Sequence, residues 1–213
     1  METDFNIKTF EKLNDRDDLQ NLFDRSFLET DKNRLRSHYQ ALRKLEFQTD
    51  FDFDLSEIPV SELLENLTVA CDIICTESNV SFIYCGNPTS NIKGNLRLIS
   101  KAILNLLSNA FLYSDGNLIT VKAIEKRDFV QFEIQNSGCL AQKFEFGNGL
   151  EFVQRLCNKL GGYFFLESTL LTVKSVMILP KSRSCKNVLP VPDFCELLSD
   201  RLSPVYVEFF GMN

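Results

Sequence analysis

Residues 96–113 form the most apolar helical segment of the chain, and they constrain its fold more than any other segment. Their apolar side chains recur at three- and four-residue spacings, which predicts a helix with one broad face buried. The turn-forming residues 114–117 come next. Alternating apolar side chains at 118–124 and 129–135 then predict two neighbouring strands, so we expect a hairpin beside the buried helix.

The rest of the pattern repeats this arrangement of helices and paired strands. Helices are predicted at 61–75 and 149–160, and a second strand pair is predicted at 163–167 and 173–179. Strands that arrive in pairs among helices predict an α+β fold built as a two-layer sandwich, and not a doubly wound parallel sheet. Further predicted strands cover residues 51–55 and 80–84.

Composition divides the chain into three parts. Residues 1–46 are polar, with apolar positions at helical spacing, and predict two amphipathic N-terminal helices. Residues 47–182 hold the predicted sandwich. Residues 183–213 change character, and we expect a tail that packs on the domain, with a helix at 194–202 and a strand at 205–210.

Charge and cysteine content narrow the class of protein. The net charge is -6, and no cluster of lysine and arginine could neutralise many phosphates, so we expect no nucleic-acid partner. No window approaches the ~18 uninterrupted apolar residues of a membrane span, so we expect no membrane insertion. Seven cysteines without a Cys-x-x-Cys pair favour a reduced compartment, and hence a cytoplasmic location.

Two amides on the apolar helix are candidate ligand-binding residues. Asn105 and Asn109 lie at an i,i+4 spacing on the edge of the apolar face, where both would line a cleft. A neutral amide oxygen suits Mg²⁺, which takes its other ligands from water and nucleotide phosphates. The alternative interpretation is that both are ordinary hydrogen-bonding residues of a helix surface.

Two glycine-containing segments follow the amides in the sequence. Asn136 ends a predicted strand and could read the amino group of adenine, and Gly138 permits a sharp turn directly after it. Gly147 and Gly149 would let a loop lie against phosphates, with the helix that starts near Leu150 offering free N–H groups. The alternative is an ordinary loop and helix start.

Taken in order, these segments resemble the N, G1 and G2 boxes of the sensor histidine kinase catalytic domain, a Bergerat-fold ATPase. The similarity spans roughly residues 51–180. It implies ATP and Mg²⁺ as ligands, Asn109 as the metal ligand, Asn105 as a phosphate or metal-water contact, and Asn136 as the adenine reader. The implied site comprises Asn105, Asn109, Tyr113, Asn136, Gly138, Phe146, Gly147, Gly149 and Leu150.

The sequence departs from the family pattern at several positions. Asn136 stands in place of the usual Asp, Leu140 in place of a Gly, and Leu112 in place of a phosphate-binding cation. Only residues 139–146 separate Gly138 from Gly147, which predicts a short ATP lid with Phe144 or Phe146 as a remnant of its aromatic box.

The resemblance implies the catalytic core of a two-component kinase, which transfers the ATP γ-phosphate to a protein histidine. It also implies a response-regulator partner and a homodimer formed through the N-terminal helices. His38, the single histidine, is the candidate phosphoacceptor; it lies outside the family's acceptor motif, and a plain surface histidine is the alternative.

Two other functions stay open. One is a degenerate domain without ATP binding, which would act as a dimeric phosphotransfer or docking scaffold. The other is a gyrase-like hydrolase, which needs a carboxylate base where Asn105 stands.

Overall fold

The computed structural model describes residues 55–138, 147–183, 188–199 and 203–209. Its strands are β1 Ser56–Pro59, β2 Ser81–Cys85, β3 Asn91–Gly94, β4 Leu118–Glu125, β5 Phe129–Ser137, β6 Tyr163–Ser168 and β7 Thr172–Pro180. Its α-helices are α1 Val60–Ile74, α2 Leu96–Leu112, α3 Asn148–Lys159, α4 Phe194–Ser199 and α5 Pro204–Phe209.

The larger sheet has five strands in the order β2-β4-β5-β7-β6. Its β2–β4 pair is parallel and its other pairs are antiparallel. Along β5, Val130, Phe132 and Ile134 are buried towards the helices, while the residues between them are partly exposed. The helices therefore cover one face of the sheet, which confirms the predicted α+β two-layer sandwich.

The helix α2 lies at the centre of the helical layer. It packs against α1, α3, α5 and β5, and its residues 99–108 are all buried. Asn95 caps its first turn by accepting a hydrogen bond from the Leu98 amide at 3.1 Å. Because neighbours surround α2 on several sides, its position is fixed along most of its length.

The C-terminal segment contains a helix where the sequence predicted a strand. Val, Tyr and Phe residues at 205–209 have a strand preference, but the strand predicted at 205–210 is wrong, because α5 covers residues 205–209. Pro204 occupies the first helical position, where proline fits well, and the Val207 amide donates to the Ser203 carbonyl at 3.1 Å. Burial of every residue from Val205 to Phe209 outweighs their strand preference.

The strands β1 and β3 were not predicted. They form a separate two-stranded antiparallel sheet, and each has only four residues, too few for a clear alternation. Pro59 ends β1 and is the N-cap of α1, so strand and helix follow each other without a loop.

Several predictions concern residues outside the described ranges. These are the N-terminal helices at 1–46 with His38, most of the predicted strand at 51–55, and the lid at 139–146 with Phe146. The domain limits at 46/47 and 182/183 stay predictions. Among the helices of the described ranges, none has both the length and the apolar character that a bilayer crossing requires.

Candidate functional site

Asn105 lies at the contact between α2 and α3. Its side chain is 1% exposed, and its Nδ2 donates to the Lys101 carbonyl at 3.1 Å. Gly149 lies directly against it, since a Cβ on Gly149 would overlap the Asn105 Oδ1 atom. The glycine at 149 is therefore explained by close packing of the two helices, and Asn105 marks the place where they meet.

Asn109, one helical turn later, is in a different position. It is half-buried, and its side-chain amide forms no hydrogen bond with the residues that the structure describes. Its backbone carbonyl accepts from the Tyr113 amide at 3.0 Å near the end of α2. Of the two predicted amides, Asn109 is the one whose oxygen is available to a ligand.

Asn136 joins the end of β5 to the end of α2. It is 5% exposed, and its Nδ2 donates to the Tyr113 carbonyl at 3.1 Å and to the Ser137 carbonyl at 2.9 Å. These two carbonyls fix the amide orientation, because a flipped amide would set oxygen against oxygen. Both amide hydrogens are thus used within the protein, and the Oδ1 atom remains as an acceptor.

The turn after β5 fits closely against the loop after α2. Gly138 has φ +137, and a Cβ there would lie 2.8 Å from the Tyr113 carbonyl oxygen. The Ser137 carbonyl accepts from the Asp115 amide at 3.0 Å, and the Gly138 amide donates to the Leu171 carbonyl at 2.9 Å. This corner requires glycine and is held by main-chain hydrogen bonds.

The start of α3 is open by comparison. Gly147 is the N-cap residue with φ -73, and a Cβ there would meet no atom of the described residues within 4 Å. No side chain at the N-cap accepts a hydrogen bond from the first turn. The first amides of α3 are therefore suited to bind an anion. Leu150, 6% exposed, belongs to the core and anchors the helix.

These contacts arrange the predicted residues in a row along α2. Asn105 contacts the first turn of α3, and the Tyr113 carbonyl contacts Asn136. Asn109 is four residues from each, so it lies about 6 Å along the helix axis from both contacts. Along α2, Asn109 thus lies between the contact with the start of α3 and the contact with the end of β5. Tyr113 itself is 64% exposed at the rim.

The predicted site residues that the structure describes carry no charged side chain. Leu112, where the family pattern has a cation, is exposed and apolar. The larger pKa shifts lie elsewhere: burial raises the pKa of Cys75 and of Cys157 to about 12. Hydrogen bonds from Lys181 and Ser90 lower the pKa of Glu125 to about 2. A ligand at this site would be held by amides and main-chain N–H groups.

One contact beside the site could not have been predicted from sequence motifs. The Ser108 Oγ atom lies 3.0 Å from Oε1 of Glu208 on α5, and both residues are buried. The only signal in the sequence is one Glu within the apolar run of residues 205–209.

Comparisons with known proteins rest on structure. No protein-family model matches the sequence, and no curated protein does. The ATP-binding domain of PrrB from Mycobacterium tuberculosis matches with a TM-score of 0.52 at 22% identity, covering 61% of this chain and 99% of that one.

Two longer structures match as well. Full-length ShkA in complex with AMPPNP has a TM-score of 0.60 at 16% identity, covering 73% of this chain and 37% of that one. Histidine kinase ThkA in complex with response regulator protein TrrA has a TM-score of 0.59 at 18% identity, covering 70% of this chain and 49% of that one. The described chain therefore has the fold of the catalytic, ATP-binding domain of sensor histidine kinases, as the sequence motifs indicated.

Proposed function

We propose that this chain, which has the fold of the sensor histidine kinase catalytic domain, binds ATP with Mg²⁺ and transfers the γ-phosphate to a protein histidine. The observation that carries the proposal is the placement of Asn109. Its free amide lies between the uncapped start of α3 and the acceptor oxygen of Asn136. This is the order of contacts that a nucleotide with a metal-bound phosphate chain needs.

Each part of the nucleotide has a group suited to it. The Asn109 oxygen is a hard, neutral ligand of the kind that Mg²⁺ accepts beside water and phosphate oxygens. The amides at the start of α3 would hold the phosphates, and Gly147 leaves room for their approach. The Asn136 Oδ1 atom would accept from the adenine amino group, with the exposed Tyr113 ring beside it.

The same groups argue against rapid hydrolysis. Asn105 stands where a gyrase-like ATPase has its carboxylate base, and here an amide is buried against Gly149. The metal, when bound, would neutralise charge that develops on the phosphates, but the position from which that ATPase activates water holds an amide here. We therefore propose that the phosphoryl group goes to a histidine and that turnover to free phosphate is slow.

The compared structures suggest the partners. ThkA is in complex with a response regulator, and ShkA is in complex with AMPPNP, an ATP analogue. We propose a response regulator as the downstream partner, and a homodimer formed through the predicted helices at 1–46. We also propose a cytoplasmic location, since the described cysteines are free.

Incubation with γ-labelled ATP and Mg²⁺ tests the transfer. Because His38 is the single histidine, any phosphohistidine formed on this chain must be at residue 38. We expect Asn109→Ala to abolish all transfer. His38→Gln would abolish labelling only if this chain is its own acceptor.

If the wild-type chain is not labelled, a separate histidine-containing partner should be. No transfer to either, together with no binding of the nucleotide, would contradict the proposal and favour the docking scaffold.

A further inference from the structure

The helix α5 reaches the back of α2 at the level of the candidate site. Glu208 is 4% exposed, and its Oε1 atom lies 3.0 Å from the Ser108 Oγ atom, which is itself fully buried. The Ser108 Oγ atom is also 3.1 Å from the Asn105 carbonyl oxygen. A buried carboxylate of the C-terminal segment is therefore bonded to the residue that immediately precedes Asn109.

Aromatic packing holds α5 at the same level. The Phe209 ring lies 6.0 Å from Phe111 of α2 and 6.0 Å from Phe82 of β2, and the latter two rings stack at 6.3 Å. These contacts fix the distance between α5 and α2. The hydrogen bond between Ser108 and Glu208 adds a directional contact to this packing, at the residue next to Asn109.

Rotation of α2 matters because Ser108 and Asn109 are neighbours in the sequence but point in different directions from the helix. Successive helical residues are about 100° apart, so Ser108 faces α5 while Asn109 faces the site. With side-chain ends about 5–6 Å from the helix axis, a rotation of roughly 15° would move the Asn109 amide by about 1.4 Å. Mg²⁺ requires ligands near about 2.0–2.1 Å, so a displacement of that size removes a good ligand.

We infer that Glu208 is a positioning residue, which through Ser108 sets the rotation of α2 and so directs the Asn109 amide into the site. The magnesium part of this inference rests on the proposed function. The orientation of Asn109 does not, and it can be measured without any ligand. The C-terminal segment would then be part of the site's construction, although it touches no ligand.

Three variants test the inference. Ser108→Ala removes the hydrogen bond with little change of shape. Glu208→Gln keeps a side chain of the same size that can still bond Ser108. Tyr206→Phe is the matched control, because it removes another buried hydrogen bond of α5, which runs from the Tyr206 hydroxyl to the Leu198 carbonyl of α4 at 3.1 Å.

Two measurements are made on each variant. The first is the NMR position of the Asn109 side-chain amide in the nucleotide-free chain. The second is the Kd of AMPPNP by calorimetry, with and without Mg²⁺. We expect Ser108→Ala to shift the Asn109 amide and to raise the Kd in Mg²⁺ by roughly tenfold, with a smaller change without the metal. Glu208→Gln should keep the wild-type amide position and the wild-type Kd. Tyr206→Phe should lower the melting temperature and leave the amide position and the Kd unchanged.

The outcomes separate the inference from the proposed function. An unmoved Asn109 amide in Ser108→Ala, or equal loss of affinity in Tyr206→Phe, would overturn the positioning role. A shifted amide in a chain that binds no nucleotide at all would support the positioning of Asn109 and contradict the proposed function.

Discussion

The two ends of the candidate site are built differently. At the base end, Asn136, Ser137 and Gly138 are joined to the loop after α2 and to the β6–β7 turn by a set of short hydrogen bonds. At the phosphate end, the Asn109 amide has no partner in the described ranges and α3 begins without a side-chain cap. At the base end the protein uses both amide hydrogens of Asn136 and leaves its Oδ1 atom, whereas at the phosphate end the described residues supply no side-chain partner for Asn109 or for the first turn of α3.

This difference assigns separate roles to residues that look alike in the sequence. A change at the base end should act first on folding stability, because the protein's own hydrogen bonds are lost. A change at the phosphate end should act first on ligand affinity, because no interaction within the described chain depends on it. The following variants test that division.

The largest expected effect is that of Gly138→Ala on stability. At φ +137 a side chain is strained, and the new Cβ would lie 2.8 Å from the Tyr113 oxygen. We expect a loss of about 3 kcal/mol in the free energy of unfolding, measured by urea denaturation. Gly147→Ala is the control, since its φ of -73 and open surroundings predict a change near zero. Equal destabilisation of both would contradict the comparison.

Asn109→Ala should give the next largest effect, which is on nucleotide affinity and not on folding stability. Removing the metal ligand should raise the Kd of the magnesium–nucleotide complex about 100-fold, which corresponds to about 2.7 kcal/mol. The melting temperature should hardly change, because the side chain has no partner among the described residues. Asn158→Ala, an exposed amide near the other end of α3, should alter neither quantity. Unchanged affinity in Asn109→Ala would disprove its role.

Asn136→Asp restores the residue that the family pattern has, yet we expect it to destabilise the chain. A carboxylate would face the Tyr113 and Ser137 carbonyl oxygens, which now accept from the Asn136 amide at 3.1 and 2.9 Å. Loss of these bonds should cost about 1–2 kcal/mol at neutral pH. A variant that is as stable as the wild type and binds the nucleotide more tightly would show that the two hydrogen bonds donated by Asn136 do not stabilise the base end.

The smallest effect on folding stability is expected for a change at Glu125, which belongs to neither end of the candidate site. Hydrogen bonds from Lys181, Ser90 and Thr89 lower its pKa from 4.5 to about 2. A lowered pKa means that the charged form stabilises the fold above pH 4.5 and that this contribution disappears as the pH falls towards 2.

Because Glu125 is exposed, Glu125→Gln should cost only a few tenths of a kcal/mol at pH 7. The difference from the wild type should vanish in acid, and the nucleotide affinity should not change. A stability difference that does not change with pH would contradict the lowered pKa of Glu125.

The sequence was most informative where local pattern and tertiary packing agree. The period of α2 and the paired strands predicted the sandwich, because an apolar face must be buried whatever covers it. The positions of Asn109 and Asn136 at the ends of their elements followed from the same patterns.

Packing between distant elements decided the rest. Asn105 and Asn109 share a helix face, but α3 covers only the first, and no motif shows where a helix start will lie. Gly149 was interpreted as a phosphate-loop residue, whereas its place against Asn105 requires glycine for helix packing. The helix α5 replaced a predicted strand because burial against α2, almost 100 residues away, outweighs local preference.

The central claim is that the phosphate end is a working site for a magnesium-bound nucleotide. Calorimetric titration of the wild-type chain with AMPPNP, with and without Mg²⁺, tests it most directly. The account predicts binding that strengthens when Mg²⁺ is present and loses that dependence in Asn109→Ala. No binding up to millimolar AMPPNP, or binding that is indifferent to Mg²⁺, would contradict it.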